Sequence, residues 1–177
     1  LLHCCKQGID PHTFTYQILN ERAQRGDAQI HRLRDVRCIW VDGQGFVGAN
    51  HLYWSPQQLG WYALQIPAKL AQYKPLFDAL GVKNAPDTTD YVDILIEIVG
   101  KHDERAEPIE GTERALYERC MAAIAVADGL EAIGPEDLVR LREAPIVLNL
   151  FNQATYPDEI LLHDSEWYAG FFGGELD

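Results

Sequence analysis

The spacing of apolar positions changes several times along the chain, and each change marks an element. Asp10-Pro11 opens a helix, with Asp as N-cap and Pro at the first helical position. Phe14, Ile18 and Leu19 form its apolar side, and Gly26 ends it. Asp27 then caps a second short helix that carries Ile30 and Leu33. The run Arg37-Cys38-Ile39-Trp40-Val41 is β-branched and aromatic, so it reads as a strand, and residues 46–54 read as its less regular partner, bent at Gly48. Ser55-Pro56 closes that pair, and Tyr62, Leu64 and Ile66 alternate as a further strand. Pro67 starts a helix with Leu70, Tyr73, Leu76, Phe77 and Leu80 on one side and Gly81 at its end; Pro75 kinks or splits it.

Helical spacing takes over in the second half. Asp87 and Asp90 resemble a capping arrangement ahead of Tyr91-Val92-Asp93-Ile94-Leu95-Ile96-Glu97-Ile98-Val99, which is apolar on two faces and predicts a well-buried helix. An acidic linker over 101–111 precedes Leu116, Cys120, Ala123, Ile124 and Ala127, a second helical stripe capped by Gly129. Gly134-Pro135 opens a short helix that Pro145 stops. Strand character returns over 146–151 and 159–163, before an aromatic and glycine-rich tail. Strands, then helices, then strands predict an α+β fold, with short antiparallel strand pairs near both ends and a helical middle. Residues 1–86 form a lobe of helices plus hairpin, and 87–177 an acidic helical segment plus a strand pair, the two expected in one compact body.

Shifted by 109 residues, Ile39 falls on Leu148, Gly43 on Asn152, Val47 on Tyr156, Leu52 on Leu161 and Ser55 on Asp164. Both segments read strand, turn, strand. This is either chance likeness between two hairpins or a duplicated unit.

Composition adds one strong asymmetry. The formal net charge of -12 splits unevenly: residues 1–86 carry 9 basic against 6 acidic side chains, and 87–177 carry 6 against 21. The acidic half repels phosphate backbones, which argues against nucleic acid as a partner. No apolar run approaches the roughly 20 residues that span a bilayer, so no membrane is expected either. The four cysteines lack metal-ligand spacing, and reduced thiols in the cytoplasm are the expectation. The start at Leu1 and the stop after Gly-Gly-Glu-Leu-Asp suggest a piece excised from a longer protein.

Candidate chemistry is sparse. Gly43-Gln44-Gly45-Phe46-Val47-Gly48 has the glycine spacing of a dinucleotide fingerprint, but the third glycine leads into strand-like residues. No acid occurs between Asp42 and Asp78 to hold a ribose. Nor do Asn50 and Lys69 meet the pattern of a kinase glycine loop. A hairpin turn is therefore predicted, led by Asp42-Gly43. His3, Cys4 and Cys5 are soft ligands without a second ligand pair. Asp128, Glu131, Glu136 and Asp137 form a carboxylate cluster without calcium-loop spacing, and His163 has no accompanying nucleophile. No cofactor is implied.

The ordered set of Cys38-Ile39-Trp40, Phe46-Val47, Ile66-Pro67, Leu76-Phe77-Asp78-Ala79-Leu80-Gly81-Val82 and Asp90-Tyr91-Val92-Asp93-Ile94-Leu95 resembles the repeat regions of sacsin and its prokaryotic relatives. The later stretch over 146–168 resembles the second strand pair of such repeats. One departure is Gly48, which stands where a proline often follows the Phe-Val pair. The resemblance implies a non-catalytic, chaperone-like or scaffold-forming module of a protein that carries an Hsp90-like ATPase elsewhere. The ATPase motifs do not occur in these residues.

The leading expectation is thus a protein-interaction module binding other modules of its parent or protein clients. A basic face around Arg22, Arg25, Arg32, Arg34 and Arg37, with exposed rings at Trp54 and Trp61, is the predicted contact surface. Two rivals stand beside it. One is a metal-dependent hydrolase using Asp128, Glu131, Glu136, Asp137 or His163, which requires those side chains to converge. The other is a structural spacer.

Overall fold

In the computed structural model, which describes residues 13–34, 36–105, 107–129 and 132–157, the first element is helix α1 (Thr13–Gln24); Asp10 and Pro11 lie outside the described residues. Its core-facing residue is Tyr16 at 2% exposure, whereas Phe14 and Ile18 are 60% and 42% exposed. Of the expected apolar side only Leu19 packs on the core, with Ala23 beside it, and the Tyr16 hydroxyl accepts the Trp40 backbone N–H at 2.9 Å. The helix ends at Gly26, whose φ of 74° permits bonds from Gly26 N–H to Ala23 O and from Asp27 N–H to Arg22 O. Asp27 then accepts the Gln29 N–H at 2.9 Å and opens a 3-10 turn, Ile30–Leu33.

The chain forms two compact units, Leu1–Asp87 and Thr88–Asp177, and the architecture is α+β with a helical middle. In the first unit, β1 (Ile39–Val41) and β2 (Gly45–Val47) pair antiparallel in the register Ile39↔Val47, Trp40↔Phe46, Val41↔Gly45. The glycine run is their turn, with Gly43 and Gly45 at φ of 80° and 79°. The expected long partner strand does not continue past Val47. It breaks into a 3-10 turn, Ala49–His51, and re-emerges as β3 (Leu52–Tyr53). There it pairs in parallel, not antiparallel, with β4 (Leu64–Gln65), and Tyr53 bridges to Lys83. A bend at Gly48 thus sends one apolar run to two separate pairings.

The helix expected after Pro67 is split as Pro75 dictates. A 3-10 stretch, Ala68–Tyr73, leads into α2 (Lys74–Ala79), which holds Pro75 in its first turn where a missing N–H costs nothing. Asn20 of α1 caps α2 by accepting the Leu76 N–H at 3.1 Å. Tyr16, Ile30, Ile39, Leu52, Leu70, Leu76, Phe77 and Leu80 form the core of this unit. Phe77 is wholly enclosed, so truncating it to alanine would cost about 3–5 kcal/mol.

The second unit is built on an αα-hairpin of α3 (Thr88–Asp103) and α4 (Gly111–Gly129). Val92, Leu95, Ile98 and Val99 bury from α3, and Leu116, Tyr117, Cys120, Ile124 and Ala127 from α4. Where the helices turn back, His102 Nε2 lies 2.5 Å from Glu113 Oε2. Helix α5 (Pro135–Arg142) is tied to α3 through Asp137, which accepts the Thr89 hydroxyl at 2.7 Å and Arg140 at 3.0 Å; Arg140 also binds Asp93.

A final antiparallel pair, β5 (Val147–Leu148) and β6 (Ala154–Thr155), is closed by a turn at 150–152. Residues 149–151, expected to continue the strand, form this turn instead, and the expected strand at 159–163 lies outside the described residues. The echo between the two hairpins has a structural counterpart at an offset of 108 residues, not 109. Ile39↔Val47 corresponds to Val147↔Thr155, and Trp40↔Phe46 to Leu148↔Ala154. The turns themselves differ, two glycines at positive φ in one and Asn152 at φ 58° in the other.

Candidate functional site

Three non-contiguous segments of the first unit meet in an open groove of about 130 Å³. The β1–β2 hairpin supplies Gln44, Phe46 and Val47, and the segment leading into β1 supplies Arg37. The 3-10 turn after β2 supplies His51, the β3-to-β4 connection supplies Trp61, and β4 supplies Leu64. The parallel pairing of β3 with β4 is what brings the last two beside the hairpin. Trp61 is 38% exposed. Its ring lies 5.4 Å from that of His51 and 4.2 Å from that of Tyr62, which fixes its orientation. Phe46 is held edge-on to Trp40 at 5.1 Å. Phe46, Val47, Trp61 and Leu64 give the lining its apolar and aromatic part, Arg37, Gln44 and His51 its polar part, and none of the lining residues is acidic. Such a site suits a side chain with an apolar body next to a negative charge.

The hairpin tip beside this groove is braced by Asp42. Its carboxylate accepts Lys69 Nζ at 3.1 Å and the Trp40 indole N–H at 3.0 Å, and both, Lys69 first, hold its pKa below the usual carboxylate value. Asp42 is therefore occupied as a brace for the turn.

The residues expected to form the contact surface separate into distinct groups. Arg37 and Trp61 come together in the groove. Arg22 is bound to Asp27 at 2.6 Å, whereas Arg25 only approaches Glu21, at 4.0 Å and with both side chains exposed. Arg32, Arg34 and Arg37 are exposed, with no carboxylate among the described residues within 4.0 Å. The Arg34 guanidinium lies over Gly81, 2.7 Å from where a methyl group would stand. Trp54 is half-buried on the core, edge-on to Phe77 at 5.9 Å and covered by Lys74 at 5.2 Å, so it belongs to packing more than to an open face.

The residues of a metal-dependent hydrolase do not form a site in the described part of the chain. Asp137 is buried and engaged with Thr89 and Arg140, while Asp128 and Glu136 are exposed. His3, Cys4, Cys5, Glu131 and His163 lie outside the described residues. Among the described residues no group of three His, Cys, Asp or Glu side chains is placed to hold a metal ion, and no helix is long and apolar enough to cross a membrane.

Phe46, His51 and Leu64 were not among the expected contact residues. Their signal was weak because each reads as an ordinary strand or linker position, and only the parallel pairing joins them. No protein-family model, curated protein or solved structure matches the chain.

Proposed function

We propose that this chain is a non-catalytic protein-interaction module of a larger sacsin-like, chaperone-related protein of the cytoplasm, and that the groove between Arg37 and Trp61 is its contact site. The partner is an acidic segment carrying an apolar side chain, from a neighbouring module or an unfolding client. The single observation that carries this reading is the joining of Trp61, Phe46 and Leu64 to Arg37 in a groove whose lining includes no acid. The apolar wall supplies contact area, and the cation selects charge and orients the ligand. Arg32 and Arg34 extend the positive surface, and the buried free thiols Cys38 and Cys120 suit a reducing compartment. Any nucleotide chemistry belongs to an ATPase module elsewhere in the parent.

The test is suppression of light scattering by a heat-denaturing acidic client at low and high salt. The wild-type chain suppresses scattering at low salt and less so as ionic strength shortens the Debye length from roughly 30 Å to 8 Å. The R32E/R34E/R37E variant fails at both. Undiminished suppression by that variant would sink the groove as the contact site.

A further inference from the structure

In the second unit, the turn between β5 and β6 exposes its two apolar residues, Leu150 at 79% and Phe151 at 76%. A turn tip of this kind ordinarily carries polar residues, and this one is also unusually well held. Asn149 Oδ1 accepts the N–H groups of both Phe151 (2.8 Å) and Gln153 (3.0 Å). The backbone N–H of Asn152 closes the turn on Asn149 O at 3.0 Å. Asn152 adopts the left-handed conformation that completes a three-residue hairpin loop. Its carbonyl accepts the Ile109 N–H at 2.8 Å, and its side-chain oxygen accepts Arg114 Nη1 at 2.9 Å. Five hydrogen bonds thus fix a two-residue apolar knob that points into solvent.

The half of the chain that bears the knob carries the charge the groove lacks. Ile109, which bonds the tip, is followed by the exposed Glu110, and Arg114 is itself paired with Glu118 at 2.7 Å. Residues 87–177 hold 21 acidic against 6 basic side chains. A rigid apolar knob on an acidic body matches, in both respects, a groove that sets Phe46, Trp61 and Leu64 beside Arg37 and His51.

We propose that the Leu150-Phe151 tip of one copy of this chain docks in the Arg37–Trp61 groove of a second copy, a head-to-tail contact that links modules to one another. The inference rests on the groove being a contact site and adds the identity of its occupant. Tip and groove are different surfaces, so the contact is heterologous and joins copies into rings or open chains. Preorganisation of the tip lowers the ordering cost of docking, and the Arg37 contribution makes it salt-sensitive.

Sedimentation velocity of the full chain at low salt tests this. Wild type shows a sedimentation coefficient that rises with concentration, and L150S/F151S and R37E each weaken the association at least tenfold, about one power of ten in Kd. An equimolar mixture of the two variants restores association that stops at a 1:1 pair, since each retains one intact half. A wild-type chain that stays monomeric up to about 1 mM, or association that survives either variant, overturns the proposal. An acidic peptide with a central Leu-Phe pair separates this failure from failure of the groove. If that peptide binds wild type and about tenfold more weakly R37E, the groove stands and only its occupant is wrong; if it binds neither, or both alike, both readings fall.

Discussion

Replacing Tyr16 with phenylalanine removes one oxygen and tests how the groove-bearing hairpin is held. The ring stays where it is, stacked on Tyr73 at 6.3 Å. What disappears is the acceptor of the Trp40 N–H, 2.9 Å away, at a position where Tyr16 is 2% exposed and little water can substitute. A buried donor left without an acceptor costs about 1–3 kcal/mol. Because Trp40 is half-buried, about 1.5–2 kcal/mol is expected, a roughly 10- to 30-fold change in the folding equilibrium. Denaturant unfolding followed by tryptophan fluorescence reports it, since three of the four tryptophans, Trp40, Trp54 and Trp61, lie in the first unit. The midpoint should fall with the slope unchanged. Tyr73→Phe is the control: its hydroxyl meets Thr13 O at a long 3.4 Å, and about 0.5 kcal/mol or less is expected. A Tyr16→Phe variant as stable as the Tyr73→Phe control would refute the claim that this bond anchors β1 to α1.

Other perturbations reach the second unit. Burial pushes the Cys120 thiol from 9.0 up to about 11, so the neutral thiol stabilises the fold fully below pH 9. That contribution, about 2–3 kcal/mol at 1.36 kcal/mol per pKa unit, is lost as pH rises from 9 to 11. Stability measured against pH should fall less steeply over that range in Cys120→Ala. The buried Tyr117 hydroxyl, also shifted upward by desolvation, leaves a residual slope of the same sign, and parallel profiles for the two proteins would contradict the assignment. Asp137→Ala strips Thr89 and Arg140 of a shared acceptor and should destabilise by about 1–3 kcal/mol, while Asp137→Asn, which retains one acceptor oxygen, recovers part of the loss. Equal thermal stability of the alanine variant and wild type would show that α5 is held by other contacts.

Much of the architecture was legible because local signals agreed with one another. The stripe Leu116, Cys120, Ile124 and Ala127 is buried as its spacing predicts, and so is the core of α3. Gly26 and Gly81 stop their helices because both positions take a positive φ. The glycine run is a hairpin, as its strand-like flanks required. Misreadings arose where a long-range contact decided between locally equivalent choices. On α1, the expected stripe of Phe14, Ile18 and Leu19 keeps only Leu19 on the core, where Tyr16 and Ala23 join it; the spacing of the two faces is similar, and the partner of the Tyr16 hydroxyl is a long-range one. The parallel β3–β4 pairing spans residues 52–65 and has no turn signal of its own. Without it Trp61 and Leu64 cannot be placed beside Phe46, so the groove could not be read from sequence. Leu150 and Phe151 look like a strand because apolar residues ordinarily continue one. That Asn149 folds them into a turn depends on side-chain-to-backbone bonds that periodicity does not register.

The central claim is that the groove between Arg37 and Trp61 receives an acidic partner bearing an apolar side chain. The most direct measurement is the change in tryptophan fluorescence as the full chain is titrated with an acidic peptide containing Leu-Phe, with Trp61→Phe as the background. Saturable quenching that vanishes in Trp61→Phe, weakens about tenfold in Arg37→Glu and fades with salt is the predicted result. Quenching unchanged by both substitutions, or no binding at low salt, would contradict the account.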